Sequence, residues 1–323
     1  MGYHDLLTGV DRLILYVIGP THKLYRALIV LERLTTEQRN PASEKIDQLT
    51  AIEIVQLMNQ EDQSIAAAVA KEAANIAAAV DEIVRAMRQD GRLIYMGAGT
   101  SGRLGVLDAS ECPPTFNTDP EQVVGLIAGG HGALVRSIEG AEDFPEYGAR
   151  DLQQINVCSK DVVVGIATSG RTPYVIGGLQ HAREIGCTTV GLACNDGSPL
   201  ERVADIMICP VVGPEIVSGS TRMKAGTATM IRLGKTLGNL MVDLRATNEK
   251  LKDRSRRIVK TLTDLDDAAA MEMLDVSDGE VKTAVVMHHR GVDAQRAREL
   301  LEAAKGHLRD AMDVQQRDST EAD

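Results

Sequence analysis

Between residues 92 and 212 the hydrophobic positions form five short continuous runs, and stretches with helical spacing separate them. Continuous runs are typical of strands buried on both faces, whereas a strand with one wet face alternates apolar and polar residues. The predicted strands are 92–96, 123–128, 161–167, 188–194 and 206–212. Strands that alternate with helices predict an α/β fold, a right-handed parallel sheet flanked by helices.

Two long helices are predicted on either side of these strands. The first ends before Gly91 and has an apolar stripe formed by Ile65, Val69, Ile76, Val80, Ile83, Val84 and Met87. The second, over about 220–250, closes the sheet domain. The remainder predicts two or three short amphipathic helices with a core of Ala284, Val285, Met287, Ala297 and Leu301.

These patterns divide the chain into five parts. We expect an atypical N-terminal extension over 1–33, a helical N-terminal arm over 34–66 and the sheet domain over 67–250. A small helical domain then covers 251–312, and 313–323 form a tail. The apolar run near residue 15 is too short and too interrupted by charge to span a bilayer.

The tetrapeptide Thr-Ser-Gly-Arg occurs twice, at 100–103 and at 168–171, each time between a predicted strand and a predicted helix. Such a turn offers backbone N–H groups, hydroxyl donors and the positive end of a helix dipole. In a flavodoxin-like sheet of order 2-1-3-4-5, strands one and three are neighbours at the switch point, where ligands bind. Two copies therefore predict one anion, such as a phosphate, held from two sides in a single crevice.

Other ligand classes fit the sequence less well. The first loop formally matches the dinucleotide pattern G-x-G-x-x-G, but the second predicted strand ends without the acid that holds a ribose. No Gly-Lys-Ser/Thr follows the glycines, as a P-loop requires. A tight strand–helix turn without any ligand is the remaining alternative.

Composition excludes further partners. Aromatic residues make up 2% and the net charge is −11, which argues against nucleic acid as a partner. The five cysteines are scattered, without the spacing of a metal site, as in a reduced cytoplasmic protein, and the histidines show no ligand spacing. We expect no metal, no nucleic acid and no membrane as partner.

Several segments, read in order, resemble the N-acetylmuramic acid 6-phosphate etherase family, whose core is a sugar-isomerase (SIS) domain. They are GAGTSGRLGVLDASECPP, EGAED, ATSGRTPYVIGGL, GPEIVSGSTRMKAGTA and NLMVDLRATNEKL. The resemblance runs from about Leu34 to Leu308. It implies a homodimer with a ubiquitin-associated-like C-terminal domain. It also implies a cytoplasmic lyase of cell-wall recycling that converts its substrate and water into N-acetylglucosamine 6-phosphate and D-lactate.

The implied reaction explains the residue types. In the open-chain sugar the C2 proton lies beside an aldehyde, and the lactyl ether at C3 is a leaving group, so elimination needs a base and an acid but no cofactor. By resemblance, Glu111 is the acid that protonates departing lactate and then activates water. Glu142 is the candidate for C2 deprotonation or for handling the ring oxygen. Two prolines after Glu111 predict that its helix ends there.

The resemblance also assigns the contacts to phosphate. They are Thr100 and Ser101 in the first loop, and Ser169, Gly170, Arg171 and Thr172 in the second. A surface ion pair is the alternative for Arg171. Ser218, Thr221 and Lys224 are candidate contacts to sugar or to a neighbouring subunit, with helix capping as their alternative.

The chain departs from the family after Ala228, where about eleven residues, or about three helical turns, are missing. The residues of this helical stretch pack on the sheet and toward the partner subunit in the family, so their loss is expected to affect dimer formation and activity. Two other functions share the phosphate loops: a catalytically silent regulatory protein that binds a sugar phosphate, and an aldose–ketose isomerase. The pair Glu111 and Glu142 favours the etherase, and the isomerase does not account for the order of the motifs.

Overall fold

A computed structural model describes residues 34–244 and 249–313, so the predicted extension 1–33 and most of the tail lie outside the described residues. Its centre is a five-stranded parallel sheet of order β2-β1-β3-β4-β5. The strands are β1 (Leu93–Gly97), β2 (Val123–Ile127), β3 (Val162–Ile166), β4 (Thr188–Leu192) and β5 (Ile206–Ile208). The fold and the strand order agree with the prediction. The fifth strand is shorter than expected because Pro210 cannot donate to a strand ladder.

The helices that cover the sheet follow the predicted alternation. They are α1 (Ala51–Lys71), α2 (Ala73–Met87), α3 (Gly99–Phe116), α4 (Pro145–Gln154) and α5 (Pro173–Ile185). In the sheet's register, Gly97 of β1 lies opposite Ile127 of β2 and Ile166 of β3, so these strands end level with one another. The turns into α3 and α5 therefore leave the sheet at one edge.

The first predicted long helix is two helices, because the chain bends at Glu72 (φ −90°, ψ 5°). The Glu72 carboxylate accepts a hydrogen bond from the N–H of Cys209 at 3.0 Å, which ties this bend to the end of β5. The single apolar stripe predicted for this helix does not lie on one buried face either. Ile83 and Met87 pack against the sheet, whereas Val80 and Val84 are exposed.

Helix α3 does not end at the prolines, as the sequence predicted. Pro113 and Pro114 lie inside it, and it ends at Phe116 with Asn117 in the left-handed conformation. A proline removes one donor from the ladder, which is tolerated here because this end of α3 is largely exposed to water. Glu111 therefore lies within the helix rather than at its end.

The predicted helix over 220–250 is also wrong. Helix α6 covers Lys224–Arg232 only, and an antiparallel hairpin of β6 (Thr236–Leu237) and β7 (Leu240–Met241) follows it. Gly234 has φ +69°, and a Cβ there would lie 2.8 Å from Nδ1 of His307. A glycine in the left-handed conformation commonly ends a helix. The hydrophobic pattern of the sequence did not predict that α6 ends before this glycine.

Between residues 249 and 313 the structure has five helices rather than the two or three predicted. They are α7 (Glu249–Thr263), α8 (Asp267–Val276), α9 (Val281–Arg290), α10 (Ala294–Ala303) and α11 (Leu308–Asp313). All five predicted core residues are buried there. The same core includes Leu237 and Leu240 of the hairpin, and Ile258 of α7. The predicted domain limits stay predictions.

An ion pair fixes the amino ends of the two central strands. Asp161 is buried and accepts hydrogen bonds from the backbone N–H and from Nη2 of Arg92, at 2.9 and 2.8 Å. Arg92 precedes β1 and Asp161 precedes β3, so the pair locks the register between them. Within the described residues, no helix has the length and apolar character that crossing a membrane requires.

Candidate functional site

A cavity of about 270 Å³ lies where β1 and β3 end, and residues from both Thr-Ser-Gly-Arg loops line it. Of the eight residues predicted for the site, five line this cavity: Thr100, Ser101, Glu142, Ser169 and Thr172. The other three, Glu111, Gly170 and Arg171, are not among its lining residues. The predicted crevice at the switch point therefore exists within one chain.

The first loop places the start of α3 against the end of the sheet. A Cβ on Gly102 would lie 2.6 Å from Cγ1 of Ile127 and 2.7 Å from the carbonyl oxygen of Gly97, so only glycine permits this approach. The N–H groups of the first helical turn have no partner inside the helix. Thr100 and Ser101 belong to that turn and line the cavity, so the positive end of the helix dipole lies at the cavity wall.

The second loop leads into α5 through a left-handed residue. Gly170 has φ +66°, and a Cβ there would lie 2.3 Å from Oγ of Ser198. Gly170 is thus needed for the shape of the turn, which brings Ser169 and Thr172 to the cavity. Arg171 is partly buried and follows the turn without lining the cavity.

Glu142 is held at the start of α5. Its carbonyl oxygen accepts a hydrogen bond from the backbone N–H of Tyr174 at 3.1 Å. Glu142 also lines the cavity. Tyr174 is fully buried and donates its hydroxyl to Asp151 at 2.9 Å. Burial, together with the charge of Asp151, raises the pKa of Tyr174, so this anchor stays neutral.

Glu111 is separated from this cavity. It lies in α3 ten residues after Ser101, which corresponds to a rise of about 15 Å along a helix axis. Its side chain is exposed. Leu104 and Leu107, which are 57% and 56% exposed, precede it at helical spacings of seven and four, so the three residues share one outward face of α3. Within one chain the structure does not bring Glu111 and Glu142 together.

Two parts of the wall come from regions that the sequence did not connect with the site. Thr36 and Glu37, in a 3-10 turn over Thr35–Glu37, line the cavity, and so does Arg254 of α7. These residues are more than two hundred positions apart in the chain, and neither segment has a recognisable phosphate motif. Only their contact in the folded chain identifies them.

A buried asparagine attaches the N-terminal turn to the second loop. Asn195 donates from Nδ2 to Oγ1 of Thr36 at 2.8 Å and to the carbonyl oxygen of Thr168 at 3.1 Å. Its Oδ1 accepts a hydrogen bond from Oγ1 of Thr35 at 2.9 Å. Because every polar atom of this side chain is engaged, the turn and the loop are held in one geometry.

The three weaker candidates have different positions. Thr221 lines the cavity, and its carbonyl oxygen accepts a hydrogen bond from Oγ1 of Thr100 at 3.2 Å. Nζ of Lys224 instead lies 3.3 Å from Oδ1 of Asp62 and 3.6 Å from Oε2 of Glu215, so Lys224 forms structural ion pairs. Ser218 lines a neighbouring pocket of about 240 Å³ beside α7, which shares Glu37 and Arg254 with the cavity.

A larger groove, of about 660 Å³, runs along β2 and α4 and is lined by Phe144, Tyr147 and Arg150, among others. Neither Thr-Ser-Gly-Arg loop contributes to it, but the groove adjoins the cavity, because residues 138–141 line both. In residues 34–244 and 249–313, no three His, Cys, Asp or Glu side chains cluster as metal ligands would.

Family models and curated relatives both connect this chain with SIS-domain proteins and with one enzyme family. The family model described as "Glucokinase regulatory protein N-terminal SIS domain" matches residues 75–183, and the model "SIS domain" matches residues 141–235. The N-acetylmuramic acid 6-phosphate etherase of Rhodopirellula baltica is 60% identical over 289 residues, which cover 86% of this chain and 96% of that protein. The enzyme of the same name from Aeromonas hydrophila is 53% identical over 87% of this chain and 98% of its own length.

The alignment to the Rhodopirellula protein spans 289 positions but only 86% of 323 residues. The alignment therefore contains more positions than this chain contributes residues, so some residues of the Rhodopirellula protein have no counterpart in this chain. Among solved structures, a phosphoheptose isomerase from Francisella tularensis superposes with a TM-score of 0.39 at 17% identity, over 57% of this chain and 95% of that one. That similarity is too low to bear on function.

Proposed function

The chain belongs to the N-acetylmuramic acid 6-phosphate etherase family, and on that premise we propose that it cleaves the lactyl ether of N-acetylmuramic acid 6-phosphate. The products are N-acetylglucosamine 6-phosphate and D-lactate, so the protein is a carbon–oxygen lyase of cell-wall amino-sugar recycling. One observation carries the proposal: a single cavity contains both Thr-Ser-Gly-Arg loops and the carboxylate-bearing residue Glu142.

The two loops would bind the phosphate. Thr100, Ser101, Ser169 and Thr172 supply hydroxyl groups around one cavity, and the amino ends of α3 and α5 add N–H groups and partial positive charge. Gly170 supports this set by shaping the turn, and Arg171, which follows it, adds positive charge near the loop. This arrangement suits a doubly charged phosphate ester better than an uncharged sugar.

The reaction consists of two balanced steps. In elimination, a base removes the C2 proton, the C2 electron pair forms the C2–C3 double bond, and the C3–O bond breaks with its electrons going to lactate. An acid protonates the departing oxygen. Water then adds to C3 of the unsaturated aldehyde and a proton returns to C2, so the sum is hydrolysis of the ether. Glu142 lines the cavity, and we assign one of these proton transfers to it.

Glu111 would take part from a second subunit. Its outward face on α3 also contains Leu104 and Leu107, which are more than half exposed. Such apolar side chains are commonly covered by a partner. A homodimer that buries this face would bring Glu111 toward the cavity of the partner subunit, where it protonates lactate and then activates water.

We include in the same proposal that the protein is a homodimer and that it is found in the cytoplasm. Further apolar residues, Ile65 and Val69 of α1 and Val80 of α2, are 40–50% exposed in the single chain. A second copy would shield such surface. The five cysteines form no disulfide in the described chain, which fits a reducing cytoplasm.

A regulatory protein that binds a sugar phosphate without catalysis is the second candidate. The match to the SIS domain of a regulatory protein favours it. The short helix α6 favours it as well, since Met230 in the helix and Leu233 directly after it are exposed. The cavity residue Glu142 favours the enzyme instead, because elimination and addition of water need a group that transfers protons, whereas binding of a sugar phosphate does not.

Incubation with N-acetylmuramic acid 6-phosphate tests the proposal directly. The purified chain should release D-lactate and N-acetylglucosamine 6-phosphate in equal amounts, measured enzymatically and by mass spectrometry. Light scattering on the same sample reports whether it is a dimer. A folded dimer that binds the sugar phosphate but releases no lactate would support the regulatory alternative.

A further inference from the structure

Arg254 and Glu37 form a buried ion pair in the wall of the cavity. Nη2 of Arg254 donates to Oε1 and Oε2 of Glu37 at 2.9 and 2.8 Å, and Nη1 donates to the carbonyl oxygen of Gly219 at 3.3 Å. The side chains of Arg254 and Glu37 are 9% and 7% exposed, and both residues line the cavity. A guanidinium is thus buried within reach of a ligand.

The group around this pair carries more positive than negative charge. Glu37 also lies 3.5 Å from Nη2 of Arg257, and Arg257 shares the carboxylate of Asp253 with Arg256. Asp267 pairs with both Arg256 and Lys260, so three guanidinium groups and one ammonium group face three carboxylates, which leaves one positive charge in excess. Arg254 is the least exposed of these four cations, so an anion that binds there experiences the least screening by water.

The proposed substrate has a second anion for which the phosphate loops provide no partner. Besides its phosphate, N-acetylmuramic acid 6-phosphate carries the lactyl carboxylate on C3, and the product N-acetylglucosamine 6-phosphate lacks it. Guanidinium groups bind carboxylates with directional, charge-assisted hydrogen bonds. Of the other cations lining the cavity, Arg103 donates instead to the carbonyl oxygens of Ala133 and Leu134, at 2.7 and 3.0 Å, and Arg222 is exposed.

We propose that Arg254, held in place by Glu37, binds the lactyl carboxylate and selects the lactyl ether over the product sugar. This inference rests on the proposed function and adds the residue that recognises the leaving group. Binding at this point orients the C3–O bond, because the phosphate and the carboxylate then fix the two ends of the substrate. It also lets the product sugar dissociate after lactate has left.

Arg257 offers a matched control. It contacts the same carboxylate of Glu37 but lines only the pocket beside α7, whereas Arg254 and Glu37 line both that pocket and the cavity. A purely structural role for the ion pairs would make Arg254→Met and Arg257→Met behave alike. A role in carboxylate recognition separates them.

The test compares two ligands in each variant. We expect Arg254→Met to lower kcat/KM for N-acetylmuramic acid 6-phosphate by about a hundredfold, while the inhibition constant of N-acetylglucosamine 6-phosphate changes by less than about threefold. Arg254→Lys should recover part of the loss, and Arg257→Met should leave the ratio of the two constants unchanged. Equal weakening of both ligands by Arg254→Met would overturn the inference.

A second measurement needs no variant at Arg254 and therefore does not depend on how that variant folds. The wild-type protein is given the substrate and its lactyl methyl ester, which lacks the negative charge. We expect a kcat/KM that is about a hundredfold lower for the ester, and equal values would contradict the inference. Absence of lactate release from the free acid by the folded wild-type dimer would instead contradict the proposed function, so the two failures are distinguishable.

Discussion

The carbonyl oxygen of Glu142 accepts a hydrogen bond from the backbone N–H of Tyr174, the second residue of α5, at 3.1 Å. This contact satisfies one of the donors that every helix leaves open at its amino end. It involves only the backbone of Glu142, so the carboxylate is free to be changed without loss of the anchor. The position of Glu142 and its chemistry can therefore be tested separately.

Glu142→Gln should fold normally and bind the sugar phosphate, but release D-lactate at least about a hundredfold more slowly, because an amide cannot accept the proton. The matched control is Glu139→Gln, since Glu139 lines the same cavity three residues earlier. We expect that variant to stay within about threefold of wild type. Rates are measured by coupled lactate assay. Full activity of Glu142→Gln would remove Glu142 from the mechanism.

The location of Glu111 outside the cavity of its own chain predicts complementation between inactive subunits. Glu111→Gln and Glu142→Gln should each be nearly inactive alone. After unfolding together and refolding, mixed dimers contain one site with an intact Glu142 and the partner's intact Glu111. Random pairing should then restore about a quarter of the wild-type rate. An inactive mixture that contains mixed dimers would show that Glu111 does not act across subunits.

Gly170 and Gly197 have nearly the same φ, +66° and +67°, but different surroundings. A Cβ at Gly170 meets Ser198 at 2.3 Å, whereas a Cβ at Gly197 meets nothing within 4 Å. Gly197→Ala should lower the free energy of unfolding by about 1 kcal/mol, from the backbone strain alone. Gly170→Ala should cost about 1–3 kcal/mol more and raise KM as well, because the turn shapes the phosphate site. Urea denaturation and steady-state kinetics measure both, and equal costs would contradict the packing argument.

The pair of Arg92 and Asp161 predicts a dependence of stability on acid pH. Burial alone raises the pKa of Asp161, but hydrogen bonds from Arg92 and from the N–H of Cys158 outweigh it, and the pKa lies below its ordinary value. A lowered pKa contributes stability that is complete above about pH 4, the value in the unfolded chain, and that is lost as pH falls through the folded value.

Asp161→Asn should therefore lower the free energy of unfolding by about 2 kcal/mol at neutral pH. The difference from wild type should shrink below about pH 4, since the wild-type carboxyl is then protonated as well. Asp81→Asn, at an exposed position of α2, is the control and should change little. Denaturant melts between pH 3 and 7 measure this, and a difference that does not change with pH would contradict the assignment.

Much of the fold was predictable because it depends on local patterns. Continuous apolar runs identified all five parallel strands, and the flavodoxin-like order placed the turns after β1 and β3 at one edge. The doubled Thr-Ser-Gly-Arg motif then led to Thr100, Ser101, Ser169 and Thr172, which do line one cavity. Helix ends were less predictable. The bend at Glu72 depends on an N–H from Cys209, far along the chain.

The sequence by itself determined the sheet, the two Thr-Ser-Gly-Arg turns at its edge and the family, because strand burial, turn chemistry and motif order depend on neighbouring residues. Only the tertiary structure decided which distant groups complete the cavity. Glu37 and Arg254 meet there across 217 positions of chain, and Glu111 faces away although it belongs to the same helix as Ser101. The physical reason is that a buried ion pair and the outward face of a helix are set by packing between elements, which no local pattern encodes.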